Sequence, residues 1–338
     1  MKLATPRTLL LALALVPLLS SAQTVLTTSM FVPQTHPVMK AVSQWCDDVA
    51  QATDKRVSCN ILPKPVAGPA ATFDAVRDGL ADLSFGIHGY TPGRFVLTSV
   101  AELPFLGHSA EITSVAYQRI FERHDAFAKE HKGLKVLSVF THGPADIYLS
   151  KRPIKTLADL GGLKFRVGGG MVKDVAQALG ASAILKPSVE SYELMSAGVV
   201  DGVFFPAESV PVYRLEKFIK YRTNIPGGLY NTSFAMFMNE GTWGRLPAAD
   251  RAAIEKLSGE PLARRIGREW DAADQRGRAA LDAIGVDSSP SSPALIEAIR
   301  QKTAPLEQQW VDAAKQKGLP NAAQVLQELR AEIAKQQR

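Results

Sequence analysis

The feature that most constrains the fold is an alternation between short apolar, β-branched runs and segments with helical spacing. Three such runs in the first third of the chain are predicted strands, at 25–32, 57–62 and 83–87. Between them, apolar residues recur at the spacing of one helix face at 38–49 and 72–80. This alternation is typical of a mostly parallel sheet with helices on its faces.

The same order of elements recurs in the middle of the chain. A helical stretch at 111–132 leads to extended segments at 135–140 and 147–150. There follow a short helix at 156–160, a strand at 163–167, a helix at 171–179, a strand at 183–185, a helix at 188–197 capped by Ser188, and a strand at 199–205. Two similar units predict an α/β fold with two lobes and a central cleft, where ligands bind beyond the carboxyl ends of the strands.

The last third has a different pattern. Residues 247–284 predict one long helix that Pro261 would kink, and residues 293–332 add amphipathic helices rich in Ala, Gln and Glu. We expect these helices to brace both lobes.

Residues 1–22 have the features of a secretory signal peptide. Lys2 and Arg7 precede an apolar run at 9–19, and the small residues Ser20 and Ala22 predict cleavage after Ala22. No later segment stays apolar for the ~20 residues that a membrane span requires. The sequence therefore predicts a soluble, exported protein.

Charge and cysteine content limit the possible partners. The net charge of +6 comes from 39 basic and 33 acidic residues spread along 338 positions, without the basic clusters of nucleic-acid binders, so we expect a solvated surface. The two cysteines, Cys46 and Cys59, either form a structural disulfide, which an exported compartment favours, or remain two buried thiols. A pair of cysteines cannot hold a metal alone, and we expect neither metal nor cofactor.

Signatures of catalysis are missing from the sequence. It has no HExxH zinc helix and no GxSxG elbow, and the GxG of Gly168 and Gly170 is followed by Lys173 where a dinucleotide fingerprint needs glycine. His142 and Asp146 lie near a predicted strand end. There they either act as a general acid or base or are hydrogen-bonded loop residues. We therefore expect a protein that is not an enzyme.

The stretch GLKFRVGGG places Arg166 in a short apolar run that ends in three glycines. Taken alone, this pattern leaves two interpretations open. The arginine lies at the surface, or the strand carries its positive charge into a pocket that receives an anion.

Several motifs resemble, in order, those of the solute-binding subunits of TRAP transporters, the DctP-like family. They are LPF at 103–105, RPIKTLADLGGLKFRV at 152–167, Tyr192, VVDG at 199–202 and NEGTWGRLP at 239–247. The resemblance covers nearly all of the chain after the signal peptide, and the KxRV segment followed by VDG is its most specific part.

The resemblance implies a two-lobed periplasmic receptor with crossing strands and a long bracing helix, which closes over a small organic acid. It also implies delivery of that acid to membrane permease subunits, and we expect a monomer. The predicted lobes are 23–144 with about 231–270, and 145–230 with about 271–338. In this family the arginine at the position of Arg166 pairs with the ligand carboxylate, to which a guanidinium offers parallel donors.

The sequence departs from the pattern of the sialic-acid-type members of the family. Asp146 stands where they carry a second arginine, and Phe205 replaces the asparagine that hydrogen-bonds the ligand in their VDGQENP run. Phe31 occupies a strand-end position that is often polar. Asp146 would repel an anion, so we expect it to pair with a base or face away from the cleft.

These exchanges predict a monocarboxylate with an apolar body, such as an aromatic 2-oxo or 2-hydroxy acid of the benzoylformate or phenylpyruvate kind. The alternative is that Phe204 points into the core and Phe205 only narrows the pocket, which leaves room for pyruvate or lactate. An exported α/β enzyme acting through His142 or His88, and a sensor that presents its ligand to a membrane kinase, are the other hypotheses.

Further ligand-binding candidates follow the predicted strands. His88, Gly89 and Tyr90 come directly after the third strand, and Tyr230 and Asn231 lie where the chain is expected to cross back between the lobes. Each is either a ligand contact or an ordinary loop residue. Tyr192 is predicted to be a core residue.

Overall fold

A computed structural model describes residues 23–337. The predicted signal peptide at 1–22 lies outside the described residues. None of the helices in the described range combines the length and the apolar character that a membrane span needs.

Within the described range, ten strands form two five-stranded sheets. In chain order they are β1 (Thr24–Ser29), β2 (Val57–Ile61), β3 (Leu83–Ile87), β4 (Leu134–Thr141), β5 (Asp146–Leu149), β6 (Lys164–Val167), β7 (Ser182–Leu185), β8 (Gly202–Phe205), β9 (Tyr221–Thr223) and β10 (Ser233–Asn239).

Helices cover the faces of both sheets. The α-helices of residues 23–337 are α1 (Pro37–Ala52), α2 (Thr72–Arg77), α3 (Ala110–Arg123), α4 (Ala126–Lys129), α5 (Met171–Ala178), α6 (Ser191–Ser196), α7 (Ser209–Val212), α8 (Glu240–Arg245), α9 (Ala248–Leu257), α10 (Glu260–Ala283), α11 (Pro293–Thr303), α12 (Pro305–Gln316) and α13 (Ala322–Gln336). Short 3-10 helices span Pro69–Ala71, His88–Tyr90, Leu97–Glu102, Leu157–Leu160, Ser188–Glu190 and Glu216–Phe218.

The two sheets repeat one topology. Their strand orders are β2-β1-β3-β10-β4, which we name lobe I, and β7-β6-β8-β5-β9, which we name lobe II. In each sheet the first two pairings are parallel and the last two are antiparallel. The predicted two-lobed α/β fold is confirmed, but the expectation of mostly parallel sheets is wrong, because β10 and β5 each enter a sheet in the opposite direction.

The antiparallel strands are also the crossing strands. The chain passes from lobe I to lobe II between β4 and β5, and it returns between β9 and β10. In lobe I, Phe234 of β10 pairs with Ile87 of β3, and in lobe II, Phe205 of β8 pairs with Asp146 of β5. These pairings place both crossing segments beside the ends of the strands that face the cleft.

Several predicted elements differ in detail from the structure. The long helix predicted at 247–284 is divided at Ser258–Gly259 into α9 and α10, where Gly259 has a φ of +62°. Pro261 stands in the first turn of α10, where its missing N–H removes no helical hydrogen bond, so it helps to begin a helix and does not kink one. Ser188 opens a 3-10 turn and is not the predicted helix cap.

The 24-residue helix α10 braces both lobes. It packs against α1, α3 and β4 of lobe I and against α7 of lobe II. The close approach of α10 to each lobe depends on a glycine. A Cβ on Gly267 would lie 2.4 Å from Glu111 Cα in lobe I, and a Cβ on Gly277 would lie 2.5 Å from the Ala207 carbonyl oxygen in lobe II. A long helix with contacts on both lobes agrees with the predicted bracing role.

The C-terminal helices also contact both lobes. Helix α13 packs against α3, and α12 packs against the 3-10 helix Leu97–Glu102, both in lobe I. Helix α11 packs against α5 of lobe II. The sequence-based division of the chain at residues 144, 230 and 270 stays a prediction.

A disulfide joins Cys46 of α1 to Cys59 of β2. The favoured interpretation of the two cysteines is therefore confirmed. The bridge fastens the first helix of lobe I to the edge strand of its sheet.

Candidate functional site

A cavity lies between the lobes, where the ends of β3, β6 and β8 meet the two crossing segments. Its empty volume, which includes space open to solvent, is about 490 Å³. Aromatic rings dominate its lining, contributed by Phe85, Tyr90, Phe205, Tyr213, Tyr230, Phe234 and Trp270. Such a cavity favours a compact ligand with an apolar ring.

Arg166 provides the positive charge of this cavity. Although it lies on β6 in an apolar run, it lines the cavity and is only 2% exposed. Its Nε and Nη2 donate to the Lys186 carbonyl oxygen at 2.9 and 2.7 Å, and its guanidinium carbon lies 4.5 Å from the centre of the Phe205 ring. These contacts orient the guanidinium toward the ligand space.

The remaining donors of Arg166 are available to a ligand. Within residues 23–337, the guanidinium bonds through Nε and Nη2 to neutral oxygens, Nη1 has no hydrogen-bond partner, and no carboxylate pairs with the group. A buried, unpaired cation is unfavourable, whereas a carboxylate would supply both the charge and the acceptors. The pocket interpretation of Arg166 therefore fits the structure, and the surface interpretation does not.

Tyr90 connects lobe I to this arginine. Its hydroxyl oxygen accepts hydrogen bonds from Arg166 Nη2 at 3.2 Å and from the Ser188 backbone N–H at 2.9 Å. Because both contacts are made to the oxygen, the hydroxyl proton remains free to donate to a ligand. Tyr90 thus belongs to the ligand space and to the contact between the lobes.

Glycines allow the backbones of the two lobes to touch beside Tyr90. A Cβ on Gly89 would lie 2.4 Å from the Gly169 carbonyl oxygen, and one on Gly169 would lie 1.8 Å from the Gly89 carbonyl oxygen. Gly170 has a φ of +78°, which a residue with a side chain rarely adopts. Gly169 and Gly170, at the end of the GLKFRVGGG stretch, therefore provide the space for this contact.

A buried carboxylate supports the same contact. Glu102 of lobe I accepts a hydrogen bond on Oε2 from the Met171 N–H, at the start of α5 in lobe II, at 3.0 Å. Its Oε1 accepts from the backbone N–H and the hydroxyl of Ser233, each at 3.0 Å. Burial raises the pKa of Glu102 to about 7.

Two neutral histidines line the cavity. Burial lowers the pKa of His36 to about 3 and that of His142 to about 4. Nδ1 of His36 accepts from the Val38 N–H at 3.3 Å, so its proton resides on Nε2. Nδ1 of His142 donates to the Gly143 carbonyl oxygen at 2.5 Å, which leaves Nε2 as an acceptor. The histidines thus offer one donor and one acceptor of hydrogen bonds.

The structure brings together four of the residues predicted from sequence, Arg166, Phe205, Tyr90 and Tyr230. The hydroxyl of Tyr230 donates to the Phe204 carbonyl oxygen at 2.8 Å, so this residue offers its ring to the cavity. Phe204 itself is fully buried beside Phe165 in the core.

The other four predicted residues surround the cavity without lining it. Phe31 stacks on Phe85 at 4.6 Å between ring centres, one layer behind the wall. The His88 ring bonds Ser233 and His131, and the Asn231 amide donates to the His142 carbonyl oxygen. Gly89 lies at the contact between the lobes. These residues therefore support the cavity wall from behind.

Asp146 does not act on the cavity. Its carboxylate pairs with Arg222, with 2.7 Å between Nη2 and Oδ2, and accepts from the Ile225 N–H at 2.9 Å. This pairing agrees with the expectation from sequence. Of the three positions that depart from the family pattern, Asp146, Phe205 and Phe31, Phe205 is therefore the one whose side chain lines the cavity.

Sequence reasoning missed Glu208, His36 and Trp270 as cavity residues. Glu208 follows β8 by three positions, so its place after a strand that points at the cleft was a usable signal. Trp270 lies on a helix far along the chain, and no local pattern marks it. Among the described residues no group of three or more histidines, cysteines or carboxylates is arranged to hold a metal.

Comparison with known proteins identifies relatives of the whole described fold. The sequence profile of "bacterial extracellular solute-binding protein, family 7" matches residues 28–313. A curated relative, the outer membrane transporter protein TsaT of Comamonas testosteroni, is 30% identical over 95% of this chain and 96% of its own.

Solved structures extend the likeness. A TRAP periplasmic solute-binding protein of Bordetella bronchiseptica with bound (R)- and (S)-mandelate superposes with a TM-score of 0.90 and 45% identity, covering 92% of this chain and 99% of its own. A marine metagenome TRAP solute-binding protein specific for aromatic acids, in complex with 3-hydroxybenzoate, gives a TM-score of 0.87 and 30% identity, covering 93% and 99%.

Proposed function

Because the chain belongs to family 7 of the bacterial extracellular solute-binding proteins, the receptors of TRAP transporters, we propose that it binds an aromatic monocarboxylate through Arg166. Receptors of this family are periplasmic, bind small acids and work with membrane permease subunits. They are not enzymes. We further propose that this chain is exported by its first 22 residues, cleaved after Ala22, and acts as a monomer.

The observation that carries the proposal is the buried Arg166, which lines a cavity walled by aromatic rings and whose Nη1 has no hydrogen-bond partner among residues 23–337. Each hydrogen bond between the guanidinium and a carboxylate contributes on the order of 1.5 to 3 kcal/mol. The aromatic walls add ring contacts of about 0.5 to 1.5 kcal/mol each. One carboxylate with an aromatic body satisfies both parts of the cavity.

The ligands of two similar structures support an aromatic acid. Mandelate is a 2-hydroxy aryl acid and 3-hydroxybenzoate is a ring-hydroxylated one. We propose for this chain an aryl 2-hydroxy or 2-oxo acid, such as mandelate, benzoylformate or phenylpyruvate.

A short aliphatic acid is the second candidate. Phe204 points into the core, so Phe205 alone narrows the cavity from that strand. Pyruvate or lactate would fill the remaining space less completely, because the other aromatic walls would have no ring to contact. The aromatic acid is therefore favoured.

Ligand identification tests the proposal directly. Protein purified under native conditions is denatured, and the released small molecules are identified by mass spectrometry. A thermal-shift panel then compares mandelate, benzoylformate, phenylpyruvate, benzoate, pyruvate and lactate. We expect the aryl acids to give the largest stabilisation, and stabilisation by pyruvate or lactate alone would contradict the aromatic assignment.

Substitution of Arg166 tests the anchor. Arg166→Ala should lower the affinity for the identified acid at least about 100-fold, since two charge-assisted hydrogen bonds are lost. The control is Arg152→Ala, which removes an exposed arginine of lobe II whose Nη2 bonds the Asp159 carbonyl oxygen. Undiminished binding by a folded Arg166→Ala protein would refute the proposed role of this residue.

A further inference from the structure

We infer that Glu208 is a second polar anchor of this cavity, donating a hydrogen bond from Oε2 to a hydroxyl or oxo oxygen of the bound aromatic acid. The inference rests on the proposed function, because it concerns a ligand whose carboxylate is already held by Arg166. It assigns the selection between oxygen-substituted acids and their unsubstituted analogues to one residue.

Two contacts from α10 hold Glu208 in place. Its backbone N–H donates to Asp274 Oδ1 at 2.9 Å, and Trp270 Nε1 donates to its Oε1 at 2.9 Å. The residue is 1% exposed and lines the cavity. Its carboxyl group is therefore fixed at the cavity wall and does not move freely in solvent.

The second oxygen of this carboxyl group, Oε2, is buried and has no hydrogen-bond partner of ordinary geometry within residues 23–337. The hydroxyl and backbone N–H of the adjacent Ser209 lie near enough to the carboxyl group to lower its pKa, but they do not complete a hydrogen bond to Oε2. Leaving a buried polar atom unpaired costs about 1 to 3 kcal/mol, and such atoms in native proteins usually find a protein, water or ligand partner. A polar ligand atom in the cavity would supply that partner.

The surroundings of Glu208 favour its neutral form. Burial, and next the charge of Asp274 on α10, raise the pKa of Glu208 well above its ordinary value. The other ionisable groups that line the cavity are Arg166 on β6, the neutral His36 and His142, and the tyrosines Tyr90, Tyr213 and Tyr230. A neutral carboxylic acid can donate a hydrogen bond and does not repel an anionic ligand.

The protonation state of Glu208 determines which ligand oxygens it can bond. A carboxylic acid that donates from Oε2 can bond a hydroxyl oxygen or a carbonyl oxygen. An ionised carboxylate would accept from a hydroxyl group and would repel a carbonyl oxygen. Oxo and hydroxy acids together therefore distinguish the two states of Glu208.

The experiment measures dissociation constants by titration calorimetry for the wild type, Glu208→Leu and Glu208→Gln. One set of ligands is mandelate, benzoylformate and phenylacetate, and the other is 3-hydroxybenzoate and benzoate, so the sets separate an oxygen beside the carboxylate from one on the ring. In at least one set, the wild type should bind the oxygen-substituted acids at least about 10-fold more tightly than the unsubstituted acid, which is phenylacetate in the first set and benzoate in the second. Equal affinity within both sets overturns the inference, even where a variant fails to fold.

The variants separate selectivity from structural damage. Glu208→Leu should reduce this preference about 10-fold or more and leave the unsubstituted acids within about threefold. Glu208→Gln should keep most of the preference for oxygen-substituted acids, because the amide offers an oxygen to Trp270 and an N–H to the ligand. A uniform loss for all acids in Glu208→Leu, or a wild type that binds benzoylformate less tightly than phenylacetate, overturns the donor role.

Failure of the inference differs from failure of the proposed function. If the wild type binds none of these acids, or binds them equally well after Arg166→Ala, the proposed function is wrong. If binding depends on Arg166 but the ligand preference is unchanged in Glu208→Leu, only the role of Glu208 is wrong.

Discussion

The two lobes share one strand order but supply different chemistry to the cleft. Lobe I contributes ring and aliphatic walls, among them Phe85 and Ile87, and neutral polar groups such as the Tyr90 hydroxyl. Lobe II contributes the charge of Arg166 and the carboxyl group of Glu208, three residues beyond β8. The common topology fixes where ligand contacts can occur, and the residues at a few strand ends determine which ligand they suit.

The lobes also differ in how their interiors are held together. Lobe I holds the disulfide and the buried His88–His131 pair, whose Nε2 atoms lie 2.9 Å apart. Lobe II instead holds the buried ion pair of Asp146 and Arg222. Changes in lobe I should therefore act mainly on stability, and changes at the contact between the lobes should act mainly on affinity.

The largest expected effect is at the glycine contact between the lobes. In Gly169→Ala the added Cβ would lie 1.8 Å from the Gly89 carbonyl oxygen, so the lobes could not come together as they do here. We expect ligand affinity to fall at least about 1,000-fold, or ~4 kcal/mol, and small-angle scattering to show no compaction with ligand.

Gly68→Ala is the matched control for this change. A Cβ on Gly68 meets nothing within 4 Å, so its affinity should equal that of the wild type. If Gly169→Ala binds the ligand as tightly as this control does, the contact between Gly89 and Gly169 is not needed for binding.

The disulfide should matter for the stability of lobe I and not for binding. Cys46 and Cys59 are 13 residues apart, and a loop of this size corresponds to ~3 kcal/mol in the chain-entropy model. The double variant Cys46→Ser/Cys59→Ser should lose about this much unfolding free energy in denaturant titrations. A change in ligand affinity of more than about threefold would contradict this separation of roles.

The buried histidines should make lobe I sensitive to acid. Burial lowers the pKa of His131 from 6.5 to about 4, so the folded protein binds fewer protons than the unfolded chain between these values. Its contribution to stability is therefore complete above pH 6.5 and is lost as the pH falls toward 4. The slope is at most about 1.4 kcal/mol per pH unit for one group.

Other groups also change stability with pH. Asp274, whose pKa is raised to about 7, makes the folded protein more stable as the pH falls. The contribution of His131 is therefore isolated by comparing the wild type with His131→Gln. His131→Gln keeps hydrogen-bonding groups but does not titrate. The stability advantage of the wild type over His131→Gln should shrink as the pH falls from 6.5 to 4.5. An advantage that does not change with pH would contradict the assignment.

Much of the fold could be predicted from sequence where strands and helices alternate. The strands β1, β2 and β3, and later β6 and β8, were found because each is bounded by a helical pattern. The strand β10 was missed, because SFAMFMN is nearly all buried and shows no alternation of polar and apolar residues. The break between α9 and α10 was missed because Gly259 was not recognised as a helix boundary.

The candidate site could be predicted only in part. Arg166 and Phe205 were identified because their motif resembles that of a known family, and Tyr90 because it follows a strand. Phe85 and Trp270 could not be assigned, since sequence does not tell whether a buried ring faces the cleft or the helix layer. For Phe31 the sequence predicts a ligand contact, whereas its ring stacks behind Phe85 and does not line the cavity.

The smallest expected effect concerns the carboxylate that links the lobes. Glu102 accepts from the Met171 N–H of lobe II on one oxygen and from Ser233 of lobe I on the other. Glu102→Gln replaces one of these oxygens by an amide nitrogen that cannot accept, so one set of contacts is lost. We expect ligand affinity to fall about 5- to 20-fold, since a hydrogen bond to a charged group contributes roughly 1.5 kcal/mol or more.

The control for this change is a glutamate with similar contacts inside one lobe. Glu130 accepts from the backbone N–H groups of Val96, Leu97 and Thr98, all in lobe I. Glu130→Gln should lower the unfolding free energy and leave ligand affinity within about twofold. If both variants lose affinity equally, the loss reflects general destabilisation, and Glu102 has no special role in holding the lobes together around the ligand.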